Sequence, residues 1–379
     1  MKDHSLEVHG CHTYDATGAI SPSICLSATF RHPRFGESTG YDYGRVANPT
    51  RESLEKTVAL LERGGRSWAL SSGMAAVQLV FSLLSAGDHV LMSEDLYGGT
   101  VRLAEEVFAD YGITFEYVDV RDLALVGKRM RPETKLVFIE TPSNPMMQIS
   151  DIAALSALAH ENGALLAVDN TFLSPHFQKP LTLGADIVLH SGTKYLCGHN
   201  DVIAGFLVLK DATSAQAKCI ELLAKSAGSN LSALDSWLML RSIKTLGVRV
   251  ERQAENALAI ARWLGTLPEV TEVLYPGLAD HPGYALQQKQ ASGAGGMISF
   301  KVRSAELAKA ALGKLHLIAF AESLGGVETL LTYPIAQTHA EMPAALLKRT
   351  GLDDKLLRLS VGIEDVEDLK ADLQQALQG

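Results

Sequence analysis

A lysine that follows an apolar run is the first candidate for chemistry. Lys194 comes after the run 187–190 and a small polar turn of Ser191, Gly192 and Thr193. At the carboxyl end of a strand, its amine could attack a carbonyl group. A lone lysine in such a place is more often a solvated surface group, so its interpretation depends on the residues around it. The order Gly-Thr-Lys excludes a nucleotide P-loop, in which lysine precedes the serine or threonine.

A carboxylate and a glycine turn occupy comparable positions. Asp169 ends the apolar run 164–168, 25 residues before Lys194, and by itself it could equally be a turn or helix-capping residue. Ser72, Gly73 and Met74 lie between the run 67–70 and a helix-like stretch. Glycine permits close backbone approach, and free amides at a helix N-terminus attract anions. Alone, this segment is also compatible with a plain strand-to-helix turn.

Together, these groups match the needs of pyridoxal 5'-phosphate (PLP). This cofactor requires an amine, a carboxylate near its pyridine nitrogen, donors around its phosphate and a cation for the substrate carboxylate. The chain offers all four kinds of group, so we predict a PLP site. No Gly-x-Ser-x-Gly motif surrounds Ser71 or Ser72, which argues against an ordinary serine hydrolase.

The elements that must position these residues follow an alternating pattern. Between about residues 51 and 206, short apolar runs alternate with longer helical stretches, which predicts a mostly parallel sheet covered by helices on both faces. Ligands gather at the carboxyl ends of such strands. The strand-like runs are 67–70, 89–92, 114–118, 136–139, 165–168, 187–190 and 202–209.

The two ends of the chain have different patterns. The first 45 or so residues are rich in turn signals and predict an arm that packs on another surface, a neighbouring subunit being one candidate. A helical region from about residue 233 to 264 should bridge two domains, and the remainder predicts a smaller α+β unit. We therefore expect an arm at 1–48, a large PLP-binding domain at 49–245 and a small domain at 246–379.

Composition narrows the class of protein. The chain has 379 residues, 47% of them hydrophobic and 20% charged, which is typical of a globular enzyme. A net charge of -9 argues against nucleic-acid or anionic-membrane partners. We found no apolar signal segment and no membrane-spanning run, so we expect a cytoplasmic protein. The four cysteines predict free thiols, and the crowding of His4, His9, Cys11 and His12 matches no metal template, so no metal is expected.

A family resemblance runs nearly end to end and rests on ordered motifs. They are 41–51 (YDYGRVANPTR), 72–74 (SGM), 96–100 (LYGGT), 140–145 (ETPSNP), 168–172 (VDNTF), 191–195 (SGTKY), 321–328 (AESLGGVE) and 358–364 (RLSVGIE). With these motifs the chain resembles the PLP-dependent enzymes of Cys/Met metabolism, the trans-sulfuration family. The resemblance implies the type I, aspartate aminotransferase-like α/β fold. It also implies a homotetramer built from dimers that share active sites.

The resemblance assigns roles to individual residues. Lys194 would carry PLP as a Schiff base and act as the base, and Tyr97 would stack on the ring and serve as a proton shuttle. The implied cofactor-binding residues are Tyr43, Arg45, Gly73, Met74, Tyr97, Asn144, Asp169, Thr171, Ser191, Thr193 and Lys194, with Tyr43 and Arg45 reaching from another subunit. Arg358 and Ser323 would bind the substrate carboxylate, and Glu322 the amino group at its distal end.

The implied reaction is a γ-replacement of the cystathionine γ-synthase type. An O-acyl-L-homoserine would react with cysteine or sulfide to give cystathionine or homocysteine. A cystathionine γ- or β-lyase, or a γ-lyase for another γ-substituted amino acid, stays open, since these enzymes share almost all the residues named above. Gly99 stands where methionine γ-lyases carry cysteine, which disfavours that reaction. A noncatalytic PLP-binding scaffold and a PLP aminotransferase are the more remote alternatives.

Overall fold

A seven-stranded sheet forms the larger part of the molecule. The computed structural model describes residues 1–11 and 17–378. The strand order is β1-β7-β6-β5-β4-β2-β3, and the five strands from β6 to β3 are mutually parallel. The strands are β1 (Arg66–Leu70), β2 (His89–Ser93), β3 (Thr114–Val118), β4 (Thr134–Glu140), β5 (Leu165–Asp169), β6 (Ile187–Ser191) and β7 (Gly205–Leu209).

Alternate strand residues supply two hydrophobic cores, one on each face of this sheet. In β5, Leu166 and Val168 belong to one core, whereas Ala167 belongs to the other. Burial on both faces explains the near-continuous apolar runs that the sequence shows. The α/β fold with a mostly parallel sheet is thus confirmed.

Strand β7 differs from its expected form. The predicted run 202–209 becomes a strand only from Gly205, and β7 lies antiparallel to both β1 and β6. Residues 192–204 return the chain along the sheet without a helical crossover, and a parallel connection requires such a crossover. The polar turn that contains Lys194 lies within this return.

Helices cover both faces of the sheet. Several begin with a capping side chain, as at Ser72, whose hydroxyl accepts a hydrogen bond from Ala75 N at 3.1 Å. The helices of this part are α2 (Pro49–Leu61), α3 (Gly73–Phe81), α4 (Gly98–Leu103), α5 (Leu123–Arg129), α6 (Ile152–Glu161), α7 (Ser174–Phe177), α8 (Ala215–Ala227) and α9 (Ala233–Ile243). No helix in the described ranges is long and apolar enough to cross a membrane.

A second, five-stranded sheet has its own core. Its order is β10-β11-β12-β9-β8, and the core includes Phe300, Leu357 and Leu373. Its strands are β8 (Val270–Leu274), β9 (Met297–Val302), β10 (Ala319–Phe320), β11 (Leu330–Thr332) and β12 (Leu356–Ser360). The helices are α10 (Leu246–Leu264), α11 (Tyr284–Gln290), α12 (Ala305–Leu312), α13 (Ala344–Thr350) and α14 (Val366–Leu377).

Helix α10 connects the two cores. Leu246 and Val250 pack in a core of the large sheet, and Ala257 and Ile260 pack in the core of the small sheet. The helical region expected from 233 to 264 is interrupted at residues 244–245, where α9 ends and α10 begins. We keep 49–245 and 246–379 as the proposed domains because this break coincides with the boundary.

The N-terminal segment contains one helix that the sequence pattern did not predict, α1 (Asp3–His9). From residue 17 to 48 the described chain is largely irregular, with an isolated antiparallel bridge between Thr29 and Tyr43. Trp237 anchors this segment by donating a hydrogen bond to the carbonyl of Pro22 at 2.9 Å. We retain 1–48 as the proposed arm.

Candidate functional site

A cavity of about 260 Å³ opens where β4, β5 and β6 end. This is the position that the parallel-sheet pattern predicted. Twelve of the predicted site residues line it, namely Gly73, Met74, Tyr97, Asn144, Asp169, Thr171, Ser191, Thr193, Lys194, Glu322, Ser323 and Arg358. The remaining lining residues are Ser72, Val77, Thr100, Glu140, Phe172, Ile203, Leu324 and Thr338.

The Lys194 amine projects into this cavity from the return between β6 and β7. Its Nζ donates a hydrogen bond to Ser323 Oγ at 2.7 Å. Burial lowers the pKa of Lys194 to about 8, and the positive charge of Arg358 acts in the same direction. The negative charge of Glu322 opposes this lowering. The neutral amine, which is the nucleophilic form, is therefore more populated here than in an ordinary lysine.

Asp169 lies at the carboxyl end of β5 and is held by Thr171. The backbone N–H and the hydroxyl of Thr171 both donate to Asp169 Oδ1, at 3.0 and 2.5 Å. The Thr171 hydroxyl also accepts a hydrogen bond from Ser191 N at 2.8 Å. Burial raises the pKa of Asp169, although the Thr171 hydrogen bonds act against that rise. Thr171 thus fixes the carboxylate relative to the end of β6, three residues before Lys194.

Glycines allow close packing on the side of the cavity where α3 begins. A Cβ atom at Gly205 would lie 1.9 Å from Ser72 O, and one at Gly73 would lie 2.9 Å from Ser191 Cβ. These positions require glycine because β7, β6 and the start of α3 approach one another closely. The first amides of α3 have no partner within the helix and lie beside the cavity. An anionic group can bind there.

The Thr193 hydroxyl forms hydrogen bonds with the backbone of Ala204. It donates to Ala204 O at 3.2 Å and accepts from Ala204 N at 3.0 Å. These two bonds close the return that carries Lys194. Arg249 supports the same return, since its Nη1 donates to Tyr195 O at 2.8 Å.

Arg358 is buried in the wall of the cavity. Its Nη1 donates to Asn144 Oδ1 at 2.7 Å, and its Nη2 lies 3.3 Å from Ser323 O. Its Nε is buried without a hydrogen-bond partner among the described residues. Burial lowers the pKa of Arg358 to about 10. Because Asn144 accepts through its carbonyl, its amide N–H groups are left to donate into the cavity.

The fold does not bring Tyr43 and Arg45 to this cavity. Tyr43 is 48% exposed, and the Arg45 guanidinium lies 5.5 Å from the centre of its ring. Arg45 also donates to the carbonyl of Lys225, on α8. Their predicted reach into the site of another subunit therefore stays a prediction.

The comparisons with known proteins agree with this geometry. Residues 4–378 match the family described as Cys/Met metabolism PLP-dependent enzyme. The chain belongs to this family. A cystathionine gamma-lyase of Bacillus subtilis is 47% identical over the full length of both chains. A cystathionine gamma-synthase/O-acetylhomoserine (thiol)-lyase of the same organism is 46% identical over 96% of this chain and 92% of the relative.

A solved structure extends the likeness to the fold. The chain matches cystathionine gamma synthase from Xanthomonas oryzae pv. oryzae, in complex with aminoacrylate and cysteine, with a TM-score of 0.95 and 41% identity, over 100% of this chain and 98% of the other. The predicted family, fold and PLP cofactor are confirmed. Relatives named synthase and relatives named lyase are about equally similar to this chain, so membership in the family establishes a PLP enzyme of Cys/Met metabolism.

The cavity of this family member fits PLP. Lys194 supplies an amine, Asp169 a carboxylate, and the glycine-lined start of α3 a place for a phosphate. The half-exposed Tyr97 ring also borders the cavity and can cover a planar group. The donors thus have the kinds and arrangement that the cofactor needs.

Glu140 is a lining residue that sequence reasoning left without a role. It ends β4, pairs in register with Asp169 on β5, and accepts a hydrogen bond from Tyr97 N at 3.0 Å. Burial raises the pKa of Glu140 well above its ordinary value, and the nearby negative charge of Asp169 adds to the rise. The sequence feature that could have identified Glu140 as a site residue is its position in the 140–145 motif. Through the backbone of Tyr97, it positions the aromatic ring.

Proposed function

We propose that this enzyme catalyses γ-replacement, in which the sulfur of cysteine or sulfide bonds to Cγ of an O-acyl-L-homoserine and the acyloxy group leaves as a carboxylate. The observation that carries the proposal is the position of Glu322, which lines the same cavity as Lys194 and Arg358. Arg358 suits the α-carboxylate of an amino acid, while a carboxylate at Glu322 suits an ammonium group at the distal end. Cystathionine, the product with cysteine, has charges of these two kinds at its two ends.

We propose Lys194 as the group that carries the cofactor and then moves protons. PLP, when bound, withdraws electrons from the substrate and makes the Cα proton removable. Lys194, with its pKa lowered to about 8, would take this proton and the later Cβ proton. Tyr97 is proposed to cover the ring and to shuttle a proton through its hydroxyl.

The remaining cofactor contacts are proposed from the same positions. Asp169 would keep the pyridine nitrogen protonated, and Thr171 would hold that carboxylate in place. Asn144 would donate to the ring hydroxyl. The phosphate would bind the amides of Gly73 and Met74 together with Ser191 and Thr193, whose hydroxyl would exchange its bond to Ala204 O for one to the phosphate.

We further propose that Tyr43 and Arg45 complete the phosphate site of a neighbouring copy, as part of a homotetramer. Both residues are exposed and neither lines the cavity of its own chain, which supports this. Arg45→Ala should then weaken PLP retention, and sedimentation should give the mass of four chains. Unchanged PLP retention in Arg45→Ala would contradict the shared site.

A cystathionine γ-lyase is the second candidate. The full-length similarity to a relative of that name favours it, and Glu322 suits cystathionine as a substrate as well as a product. The β-lyase and other γ-elimination reactions need no residue beyond those of the same cavity.

A product assay separates these reactions. PLP-loaded enzyme is given O-acetyl- or O-succinyl-homoserine, with and without cysteine or sulfide, and in parallel cystathionine alone. Cystathionine or homocysteine formed from the ester would support γ-replacement. Cysteine with 2-oxobutanoate, or homocysteine with pyruvate, released from cystathionine alone would instead establish a γ- or β-lyase.

The role of Glu322 can be tested in the same assay. Glu322→Gln should raise KM for the substrate with the distal ammonium by about fivefold or more, because an ion pair at 4 Å contributes about 1 kcal/mol even in water. Glu328→Gln is the matched control, since Glu328 is exposed and does not line the cavity. An equal effect of both variants would remove the specific role of Glu322.

A further inference from the structure

Two histidines and a glutamate converge where α1 packs against α7 and α10. One donor atom each from His4, Glu7 and His176 lies within 4.8 Å of the others, and no other such group occurs in the described ranges. None of the three lines the PLP cavity. We propose that this cluster is a binding site for a divalent transition metal, with Zn²⁺ as the best match.

In both His4 and His176, the Nδ1 atom of the imidazole faces the Glu7 carboxylate. His176 Nδ1 is 2.7 Å from Glu7 Oε1, and His4 Nδ1 is 3.6 Å from Glu7 Oε2. Tetrahedral zinc with bonds of about 2.0–2.2 Å holds neighbouring ligand atoms roughly 3.3–3.6 Å apart. The His4 pair, measured to Glu7 Oε2, already has this separation, and rotation of the Glu7 carboxylate must bring one oxygen close to both imidazoles. The His176 pair, now a direct hydrogen bond, must widen by less than about 1 Å to admit the ion.

The opposite ring nitrogens both face a second carboxylate. Glu251 Oε1 lies 3.4 Å from His4 Nε2 and 3.4 Å from His176 Nε2. Histidines that bind metal through one nitrogen usually donate the other N–H to a carboxylate, which fixes the tautomer. One outer carboxylate therefore orients both proposed ligands.

Gly247, in the first turn of α10, leaves the room that the site needs. A Cβ atom there would lie 2.6 Å from Glu7 Oε2 and 2.7 Å from His4 Nδ1. The Gly247 N–H also donates to Glu7 Oε2 at 3.2 Å, which orients the carboxylate. Glycine within a helix costs about 1 kcal/mol relative to alanine, so a close approach is a reason for its presence.

The cluster is buried on one side and exposed on the other, so an ion can enter it from solvent. The Glu7 and His176 side chains are 3% and 8% exposed, whereas the His4 side chain is 61% exposed. Two imidazoles and one carboxylate form a ligand set typical of zinc, with a fourth position open to water. The bound ion would tie α1 to α7 and α10, so its expected role is to hold the N-terminal helix in place.

This set differs from the N-terminal crowding seen in the sequence. Of those residues only His4 takes part, and His176 is 172 positions away along the chain. His9 is exposed on the same helix, and His12 lies outside the described residues. Spacing along the chain could not have predicted the site.

Zinc titration of chelator-treated, PLP-loaded enzyme tests the proposal. Isothermal titration calorimetry with ZnCl₂ should give about one tight site per chain, and Co²⁺ should give the visible absorption of a tetrahedral ion. His4→Gln and His176→Gln should each weaken Zn²⁺ binding at least tenfold, and Glu251→Gln by about 10–100-fold. His9→Gln is the matched control, and Cys11→Ser tests for binding by a thiol.

Retained PLP absorbance shows that each variant has folded, and His4→Gln changes an exposed side chain. Unchanged binding in His9→Gln and Cys11→Ser, with loss in His4→Gln, would support the site. The proposal is overturned if Zn²⁺ fails to saturate near one equivalent. It is also overturned if His4→Gln binds Zn²⁺ as tightly as the parent, or if either control variant loses affinity to the same degree.

Discussion

The low pKa of Lys194 gives the first prediction. Burial and the positive charge of Arg358 lower this pKa from 10.5 to about 8. At pH 8 about half of Lys194 is then the neutral amine, against about 0.3% of an ordinary lysine, a gain of about 150-fold. Only the neutral amine attacks an aldehyde. Apoenzyme should therefore capture PLP rapidly at mildly alkaline pH.

Stopped-flow absorbance of apoenzyme mixed with PLP measures this reactivity. The capture rate should rise with pH and level off, with a midpoint near the pKa of about 8. A lysine derivative such as N-acetyl-lysine amide, treated in the same way, reports the contribution of the ionisations of PLP itself. A protein midpoint no lower than that of the free amine would refute the reasoning.

Two variants test the electrostatic part separately. Arg358→Gln removes a charge that lowers the pKa of Lys194 and should move the midpoint upward. Glu322→Gln removes a charge that raises it and should move the midpoint downward. If both variants moved the midpoint in the same direction, the charges would not be acting as proposed.

Three further predictions concern other buried groups. Arg358→Lys keeps the positive charge but loses the planar guanidinium, so kcat/KM should fall about 10- to 100-fold, mainly through a higher KM. Arg102→Lys, at an exposed position, is the control and should leave kcat/KM nearly unchanged. Burial lowers the pKa of His339 from 6.5 to about 4, so the folded protein binds fewer protons than the unfolded chain and stability falls as pH drops through this window. The free energy of unfolding should fall by about 3 kcal/mol between pH 6.5 and pH 4. Urea unfolding of His339→Gln should show a smaller fall over the same pH range. Glu62→Ala leaves the buried Nε2 of His190 without its Glu62 partner and removes one of the two acceptors of Asn170 Nδ2, the other being Gln178 O. It should destabilise the fold by about 3–5 kcal/mol in the same assay.

Most strands of the large sheet could be predicted because they are buried on both faces. Runs such as 187–190 and 136–139 contain few polar residues, so their positions are visible without tertiary information. The antiparallel direction of β7, by contrast, could not be predicted from the pattern of apolar runs. It depends on the return at 192–204, which has no periodicity and is held by contacts such as those of Thr193 with Ala204.

Helix α1 was missed for a related reason. It has seven residues, too few to be stable alone in water, and it buries Leu6 and Glu7 against the rest of the chain. Its formation depends on partners such as Lys179 and Gly247, which lie more than 170 residues away. Local sequence contains little of that information.

The types of site residue were readable from the sequence, but their mutual contacts were not. Asn144 and Arg358 are separated by 214 residues, and only the fold shows that the guanidinium donates to the amide oxygen. That bond determines which end of Asn144 can face a ligand. Glu140 illustrates the same point, because its contact with the backbone of Tyr97 gives it a role that its residue type alone did not.

The charges along the cavity bear directly on substrate choice. Arg358 and Glu322 lie in one cavity, and each influences the ionisation of Lys194 in the opposite sense. A substrate held with its α-carboxylate at Arg358 would direct its distal end towards Glu322. The distal carboxylate of O-succinyl-homoserine would then meet a like charge, which costs about 1 kcal/mol at 4 Å in water.

The neutral acetyl ester avoids this repulsion, so kcat/KM for O-acetyl-homoserine should exceed that for the succinyl ester by about fivefold. Glu322→Gln should remove most of the difference, whereas the exposed Glu328→Gln should preserve it. Added salt should also narrow the gap, because the interaction is screened where solvent reaches the partly open cavity. A succinyl preference that survives Glu322→Gln would mean that the distal end of the substrate points elsewhere.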